Sequence, residues 1–406
     1  MKQGWDVKKL SEVCEFSNGL WTGKKAPFQR VGVIRNTNFT KDGKLDDSDI
    51  VYLEVEQSQF SKRKLQYGDL ILEKSGGGPK QPVGRVIIFD KKEGDYSFSN
   101  FTSVIRITNK KIVNFTYLHR FLFFKYISGA TETMQSHSTG IRNLKFDEYK
   151  SIEIHFPKSL PEQKRIVAIL DEAFAAIEGA KANAIQNLKN AKELFDSYLQ
   201  SVFENKVHGS LFETLDSLCE LIVDCEHKTA PTQDTGYPSI RTPNIGKGVL
   251  ILDNVNRVSE ETYNEWTRRA IPQADDLILA REAPAGNIAV IPENIKVCLG
   301  QRTVLIRPKK SKLVSKFLAY LILSKDVQEQ LLSHSTGATV EHINMKDIRA
   351  FKIYNLSPLP EQKTIVQKLD ALSAETKRLE AIYQQKIDNL EELKKSILQK
   401  AFNGEL

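Results

Sequence analysis

Asp69 precedes the apolar run Leu70-Ile71-Leu72, and Glu73-Lys74 follows it. Two carboxylates and a lysine at a strand end are the donor set of metal-dependent nucleases, where the acids hold the cation that activates water. The usual order leaves one residue between the glutamate and the lysine, and here they are adjacent. A second run, Leu277-Ile278-Leu279, is preceded by Asp276 but followed by Ala280 and Arg281, so its second acid is missing. Gly76-Gly77-Gly78-Pro79-Lys80 is glycine-rich, yet its spacing is not that of a phosphate loop and no Ser or Thr follows the lysine. Cys219, Cys225 and His227 are three possible zinc ligands without a fourth at proper spacing, and the cysteines read better as buried or idle thiols. Four cysteines in all are too few for a disulfide scaffold. A methyltransferase would need a cofactor glycine loop and an Asn/Asp-Pro-Pro-aromatic tetrapeptide, and neither occurs. No GxSxG, HExxH or kinase set is present either. The chain reads as non-catalytic.

The chemistry that remains is recognition of a polyanion. Between Ser61 and Lys92 lie eight cations (Lys62, Arg63, Lys64, Lys74, Lys80, Arg85, Lys91, Lys92) against three acids. Clustered cations release counterions from DNA, although the matching stretch of the second half is not similarly basic. The two loops after the Leu-Ile-Leu runs occupy the same place and share nothing: Lys74, Ser75, Gly76 and Lys80 in one, Arg281, Glu282 and Asn287 in the other. Arg and Lys address guanine, Glu addresses cytosine, and Asn or Gln addresses adenine; ordinary loop drift is the alternative. Asn100 with Thr102, and Gln301 with Arg302 and Thr303, match in position. So do Arg35 with Asn38 and Arg241 with Asn244. All are candidate DNA contacts. Ser138, Thr139 and Gly140, and their copies Ser335, Thr336 and Gly337, suit sequence-independent phosphate contacts or, equally, structural turns.

These residues need two similar frames, and the chain is written twice. Leu160-Pro161-Glu162-Gln163-Lys164 recurs from Leu359, 199 residues on, with Ile-Val one residue later in both copies. Ser136-His137-Ser138-Thr139-Gly140 recurs from Ser333, 197 residues on. Leu10 to Glu15 faces Leu215 to Glu220, Asp69 to Leu72 faces Asp276 to Leu279, and Thr102 to Arg106 faces Thr303 to Arg307. Such a period is too long for a solenoid and marks a duplicated domain. Each half opens with short runs rich in Val, Ile, Phe, Thr and Gly, which predict strands and turns. Each closes on a helix-favouring stretch, roughly 162 to 206 and 361 to 402, with Pro, Glu and Gln in its first turn.

Apolar residues recur by three and four along both stretches. Leu170, Ala173, Ile177, Ala180, Ala184, Leu188, Ala191, Phe195, Tyr198 and Val202 form one stripe. Leu369, Leu372, Thr376, Leu379, Tyr383, Lys386, Leu390, Leu393 and Ile397 form the other, with Lys386 as a defect that snorkels. Stripes of about 60 Å at 1.5 Å per residue exceed the width of a small domain, so the two helices are expected to pair.

Of 406 residues, 40% are hydrophobic and 27% charged, with a net charge of +7 and a pI near 8.9. That permits DNA binding without arguing for it alone. No signal peptide opens the sequence and no run is long enough for a membrane span, so a cytoplasmic location is expected.

The duplicated LPEQK-x-IV segments, the SHSTG segments upstream, the Asp-Leu-Ile-Leu strand ends and the close from Leu393 to Leu406 together resemble the DNA-specificity subunits of type I restriction-modification systems, over essentially the full length. The resemblance implies an α+β fold: a target-recognition domain over 1–158 and another over 208–357, with mixed strands and short helices. Two long helices, over 159–207 and 358–406, would join them as an antiparallel coiled coil. It implies an asymmetric, two-part target on double-stranded DNA, with the helices setting the gap. It implies as partners two methyltransferase subunits and, in the full complex, restriction subunits. The chain itself would hold no cofactor; S-adenosylmethionine, ATP and Mg2+ would belong to the partners, and adenine N6 would be the methyl target.

Overall fold

A computed structural model describes residues 3–20, 23–78, 81–138, 141–204, 211–282, 285–332 and 342–406. The chain divides into two compact units, Met1–Ala184 with Gln385–Leu406, and Ile185–Gln384. Each unit therefore combines one strand-rich part with half of each long helix.

The strand-rich parts repeat one topology. In the first unit an antiparallel sheet runs in the order Cys14–Asn18, Thr102–Ile107, Leu70–Glu73, Val86–Ile88. In the second, Cys219–Asp224, Thr303–Pro308, Leu277–Ala280 and Ile288–Val290 take the same order. Leu70, Ile71 and Leu72 are fully buried, as are Leu277, Ile278 and Leu279, so these strands are apolar on both faces. A smaller sheet flanks each: Val51–Glu56, Phe28–Ile34 and Tyr96–Phe98, against Arg257–Val258, Tyr237–Ile240 and Cys298–Leu299. A third pairing, Trp5–Lys9 with Glu153–Pro157 and Phe212–Thr214 with Lys352–Tyr354, closes each part just before its long helix.

The repeated residues are the joints of this frame. Arg106 grips Asp69 through two bonds of 2.8 and 2.6 Å, and Arg307 grips Asp276 at 2.8 and 2.7 Å. Both aspartates are nearly inaccessible and also accept a backbone N–H, from Gln66 and Gln273. Gln163, fully buried in the first turn of its helix, accepts from Asn114 N and donates to Ile112 O and Pro157 O, all at 2.8 Å. Gln362 does the same with Val314 N, Lys312 O and Ser357 O. The shared glutamine thus fastens each helix to its own strand-rich part.

The helices span Leu160–Phe203 and Leu359–Asn403 and pack together as an antiparallel pair. In the first unit Lys181 meets Glu391 at 2.5 Å and Arg165 reaches the carbonyl of Leu406 at 3.0 Å. In the second, Leu199 and Phe203 share a core with Val366 and Leu369. The stripes differ from expectation at three places. Tyr198 is exposed and Leu199 is buried, because here the helix packs onto Phe317 and its neighbours in the core of its unit. Lys386 is exposed and does not interrupt the seam, since a step of four places Ile387 inside instead. Leu393 is exposed, and burial resumes at Leu398, Ala401 and Phe402, whose ring enters a cage of Tyr117, Phe121 and Phe124.

One buried group in the first unit makes its stability depend on pH. His119 is inaccessible, with Nε2 3.0 Å from the carbonyl of Val86. Burial first, and the neighbouring Arg120 second, hold its imidazole down to about 4. The native state binds the neutral ring while the unfolded chain protonates near 6.5. The stabilisation is therefore complete above about pH 6.5 and is lost as pH falls toward about 4. Between pH 7 and 5 this group should cost the first unit about 2 kcal/mol, and His119→Phe should remove that share of the slope. Denaturant titrations of both proteins at the two pH values check this.

Candidate nucleic-acid interface

Residues spaced far apart in sequence meet at the ends of the central strands, twice. In the first unit the backbone amides of Lys74 and Ser75 both donate to the carbonyl of Phe101, at 3.1 and 3.2 Å. The carbonyl of Lys74 accepts from Leu144 N at 2.8 Å. In the second, Arg281 N donates to the carbonyl of Arg302 at 2.9 Å, and its carbonyl accepts from Ile343 N at 3.1 Å. These backbone bonds set up a one-to-one correspondence: Lys74 with Arg281, Ser75 with Glu282, Phe101 with Arg302, Asn143 with His342. Asn18 and Asp224, at the ends of corresponding strands, complete the set.

The chemistry at these five positions differs throughout. In the first unit it is neutral apart from one lysine. Lys74 Nζ donates to Asn18 Oδ1 at 2.8 Å, and its partial burial pulls the ammonium below the usual lysine range. Ser75 Oγ meets Asn143 Oδ1 at 2.5 Å, and Phe101 is 46% exposed. In the second unit it is a chain of charges. His227 Nε2 lies 3.2 Å from Asp224 Oδ2, which is 2.7 Å from the Arg281 guanidinium. Arg281 reaches His342 Nε2 at 2.9 Å, His342 Nδ1 meets Glu282 Oε1 at 2.6 Å, and Glu282 Oε2 accepts from Arg302 at 2.9 Å. Arg302 stays exposed and holds a left-handed φ of 66°, a conformation that costs a non-glycine residue free energy and gathers at functional sites.

Many sequence candidates turn out to be frame. Asn38 is fully buried and accepts from Arg35 N at 2.9 Å; Asn244 accepts from Arg241 N at 3.1 Å. Each asparagine caps a tight turn, so its side chain is already used. Thr102 and Thr303 are inaccessible and donate to Ser99 O and Gly300 O, both at 2.8 Å. Asn287 donates to Ile245 O at 3.0 Å. Arg35 is half-buried and meets Asp49 at 3.0 Å, while Arg241 is exposed. Arg281 is 7% exposed and points inward, also donating to Ile343 O, so it orders the site rather than reaching out from it. Gly76 has φ 103°, and a Cβ there would meet Asn36 Nδ2 at 2.9 Å. That glycine lets the Ser75 carbonyl accept from the same Nδ2, at 2.6 Å. Asn100 and Gln301 are half-buried beside the exposed tips. Lys80, Thr139, Gly140, Ser335, Thr336, Gly337 and the side chain of Ser138 lie outside the described residues. Asn18, Phe101, Asn143, Asp224 and His342 escaped the sequence reading. Asn143 lies seven residues after the start of its SHSTG copy and His342 nine, so the sequence offered no common spacing to match them, and only the bonds of Leu144 N and Ile343 N do so.

The catalytic readings fail on the same geometry. Glu73 is bidentate to Arg85 at 2.7 and 2.9 Å and Asp69 to Arg106, so both acids are neutralised inside the protein. Three of the eight cations of the basic cluster are paired with acids as well: Lys64 with Asp95, Lys91 with Asp47, Arg85 with Glu73. Cys219 lies in an apolar core away from Cys225. Asp224, Cys225 and His227 do approach one another, but the Arg281 guanidinium already neutralises the carboxylate.

Comparison with known proteins adds the following. The family model for the type I restriction modification DNA specificity domain matches twice, over residues 2–187 and 212–391. The type I restriction enzyme StySPI specificity subunit of Salmonella potsdam is 25% identical over 100% of this chain and 90% of its own. The EcoKI specificity subunit of Escherichia coli K12 is 23% identical over the same shares. The solved HsdS subunit from Thermoanaerobacter tengcongensis superposes with a TM-score of 0.64 at 20% identity, covering 100% of this chain and 98% of that one. A chain from a type I R-M system, solved to show complex assembly and conformational transition, gives 0.78 at 19% identity, covering 100% and 99%.

Proposed function

Since this chain belongs to the type I restriction-modification DNA specificity family, we propose that its two five-residue sets are the surfaces that read the two halves of a DNA target. The chain is a specificity subunit: it binds DNA by sequence and acts with other subunits of a type I restriction system. It does no chemistry of its own. The observation that carries the reading is a common backbone frame presenting unlike side chains at corresponding positions. An enzyme duplicated for catalysis would keep its side chains, whereas a reader of an asymmetric site must change them.

In the assembled system two methyltransferase subunits dock on the chain and restriction subunits join them. S-adenosylmethionine, ATP and Mg2+ serve those partners, and adenine N6 receives the methyl group. No described helix is long and apolar enough to cross a membrane, in keeping with work on cytoplasmic DNA.

The test is a map of methylated bases in DNA from cells that make this chain with its methyltransferase partner. The expected outcome is one asymmetric motif in two parts with a fixed gap and a modified adenine in each part. A folded, bound partner that leaves DNA unmodified, or modifies it without sequence preference, contradicts the assignment.

A further inference from the structure

The two tips carry different chemistry, and that difference specifies what each half can read. We infer that Arg302 reads a guanine in one half-site and that Phe101 covers a thymine 5-methyl group in the other. This rests on the assignment of the two halves as DNA readers.

Arg302 and Phe101 stand at one backbone position, each holding its neighbour strand through its carbonyl and each followed by a buried threonine. Both side chains are exposed on a turn, beside half-buried Asn100 and Gln301. Arg302 is the outermost cation of its set: Arg281 is buried and shared between Asp224 and His342, whereas Arg302 has a single carboxylate partner, Glu282, and stays exposed. Glu282 keeps His342 when Arg302 leaves, because its two oxygens serve the two partners separately. The guanidinium can thus exchange one acceptor for the O6/N7 pair of guanine without stranding a buried charge. Its left-handed backbone is a strain that a purely structural salt bridge would not require.

Phe101 offers the opposite chemistry. A phenyl ring nearly half exposed on a turn finds no hydrogen bond on a base edge, but it matches the methyl group of thymine, the apolar feature of the major groove. Its neighbours Asn18, Lys74, Ser75 and Asn143 are bonded to one another, which leaves the ring as the free apolar surface of that tip.

The experiment uses the full chain assembled with its methyltransferase partner. A randomised duplex library first yields the motif bound by the wild-type complex. Duplexes of that motif are then made with 7-deazaguanine for each guanine, or uracil for each thymine, one position at a time. In the half-site read by the second unit, 7-deazaguanine at one position should weaken wild-type binding roughly ten- to hundredfold. The Arg302→Asn complex should be indifferent to it; asparagine tolerates the backbone there. In the other half-site, uracil at one position should cost about fourfold, the transfer value of one buried methyl, and Phe101→Ala should abolish the difference. The base analogues interrogate the wild-type protein, so the result stands even where a variant is unstable. A wild-type complex that selects a two-part motif yet ignores both analogues overturns this inference alone. Variants that weaken all sequences equally, with a shallower salt slope, overturn it by marking phosphate contacts. A wild-type complex that selects no motif overturns this inference and the assignment beneath it.

Discussion

Removing one heptad from Leu160–Phe203, together with the facing heptad of Leu359–Asn403, is expected to shorten the gap between the two recognised half-sites by about three base pairs. Seven residues of helix measure about 10 Å, and a base pair rises about 3.4 Å. Seven residues also turn the helix through nearly two whole turns, so each glutamine-fastened part keeps almost the same facing. The seam survives, because the removed residues form a complete unit of its repeat. Methylation of the original motif should fall to background, and a motif with the same two parts and a smaller gap should replace it. Sequencing of modified bases reads both changes at once. An unchanged gap would refute the idea that the helices measure the spacer. Scattered gaps would mean that the pair bends rather than measures.

Asp276→Ala should unfold the second unit under mild conditions. The carboxylate is 2% exposed and receives two bonds from Arg307 and one from Gln273 N. Truncating one partner of a buried pair costs about 3–5 kcal/mol, a large part of the roughly 5–15 kcal/mol that holds a domain folded. Its counterpart Asp69→Ala should damage the first unit in the same way. Denaturant unfolding of the full chain is the measurement. A metal-binding carboxylate in an open site predicts the reverse: unaltered or raised stability when the negative charge is removed. The pair of variants therefore separates the structural reading of these aspartates from the nuclease reading suggested by their position at a strand end.

The frame was legible in the sequence because repeated residues mean repeated geometry. LPEQK announced two helices that the structure runs over Leu160–Phe203 and Leu359–Asn403, within a few residues of the pattern. The same property misled the search for the site. Asn38, Asn244, Thr102 and Thr303 are shared by both halves because both halves need those turns capped, and a group that caps a turn has nothing left for DNA. The positions proposed to read DNA are the unshared ones, and only backbone bonds such as those of Lys74 and Arg281 to the two tips show which residue answers to which. Arg281 was misjudged for a related reason. An arginine on a variable loop looks like a reader, and only its burial between Asp224 and His342 shows that its guanidinium is used inside the protein. The seam slipped at Tyr198 and Lys386 because helical periodicity counts residues and not partners.

The fixed glutamine clips and aspartate–arginine joints have a consequence for descent. On the proposed reading, an exposed tip such as Phe101 can change its side chain at little cost to the fold, because it holds the frame through its backbone carbonyl, whereas the buried and ion-paired Arg281 cannot. Drift at one tip then leaves the other untouched, since the tips belong to separate units. New targets would be gained one half at a time, each intermediate still folded and still carrying one inherited half of its old address.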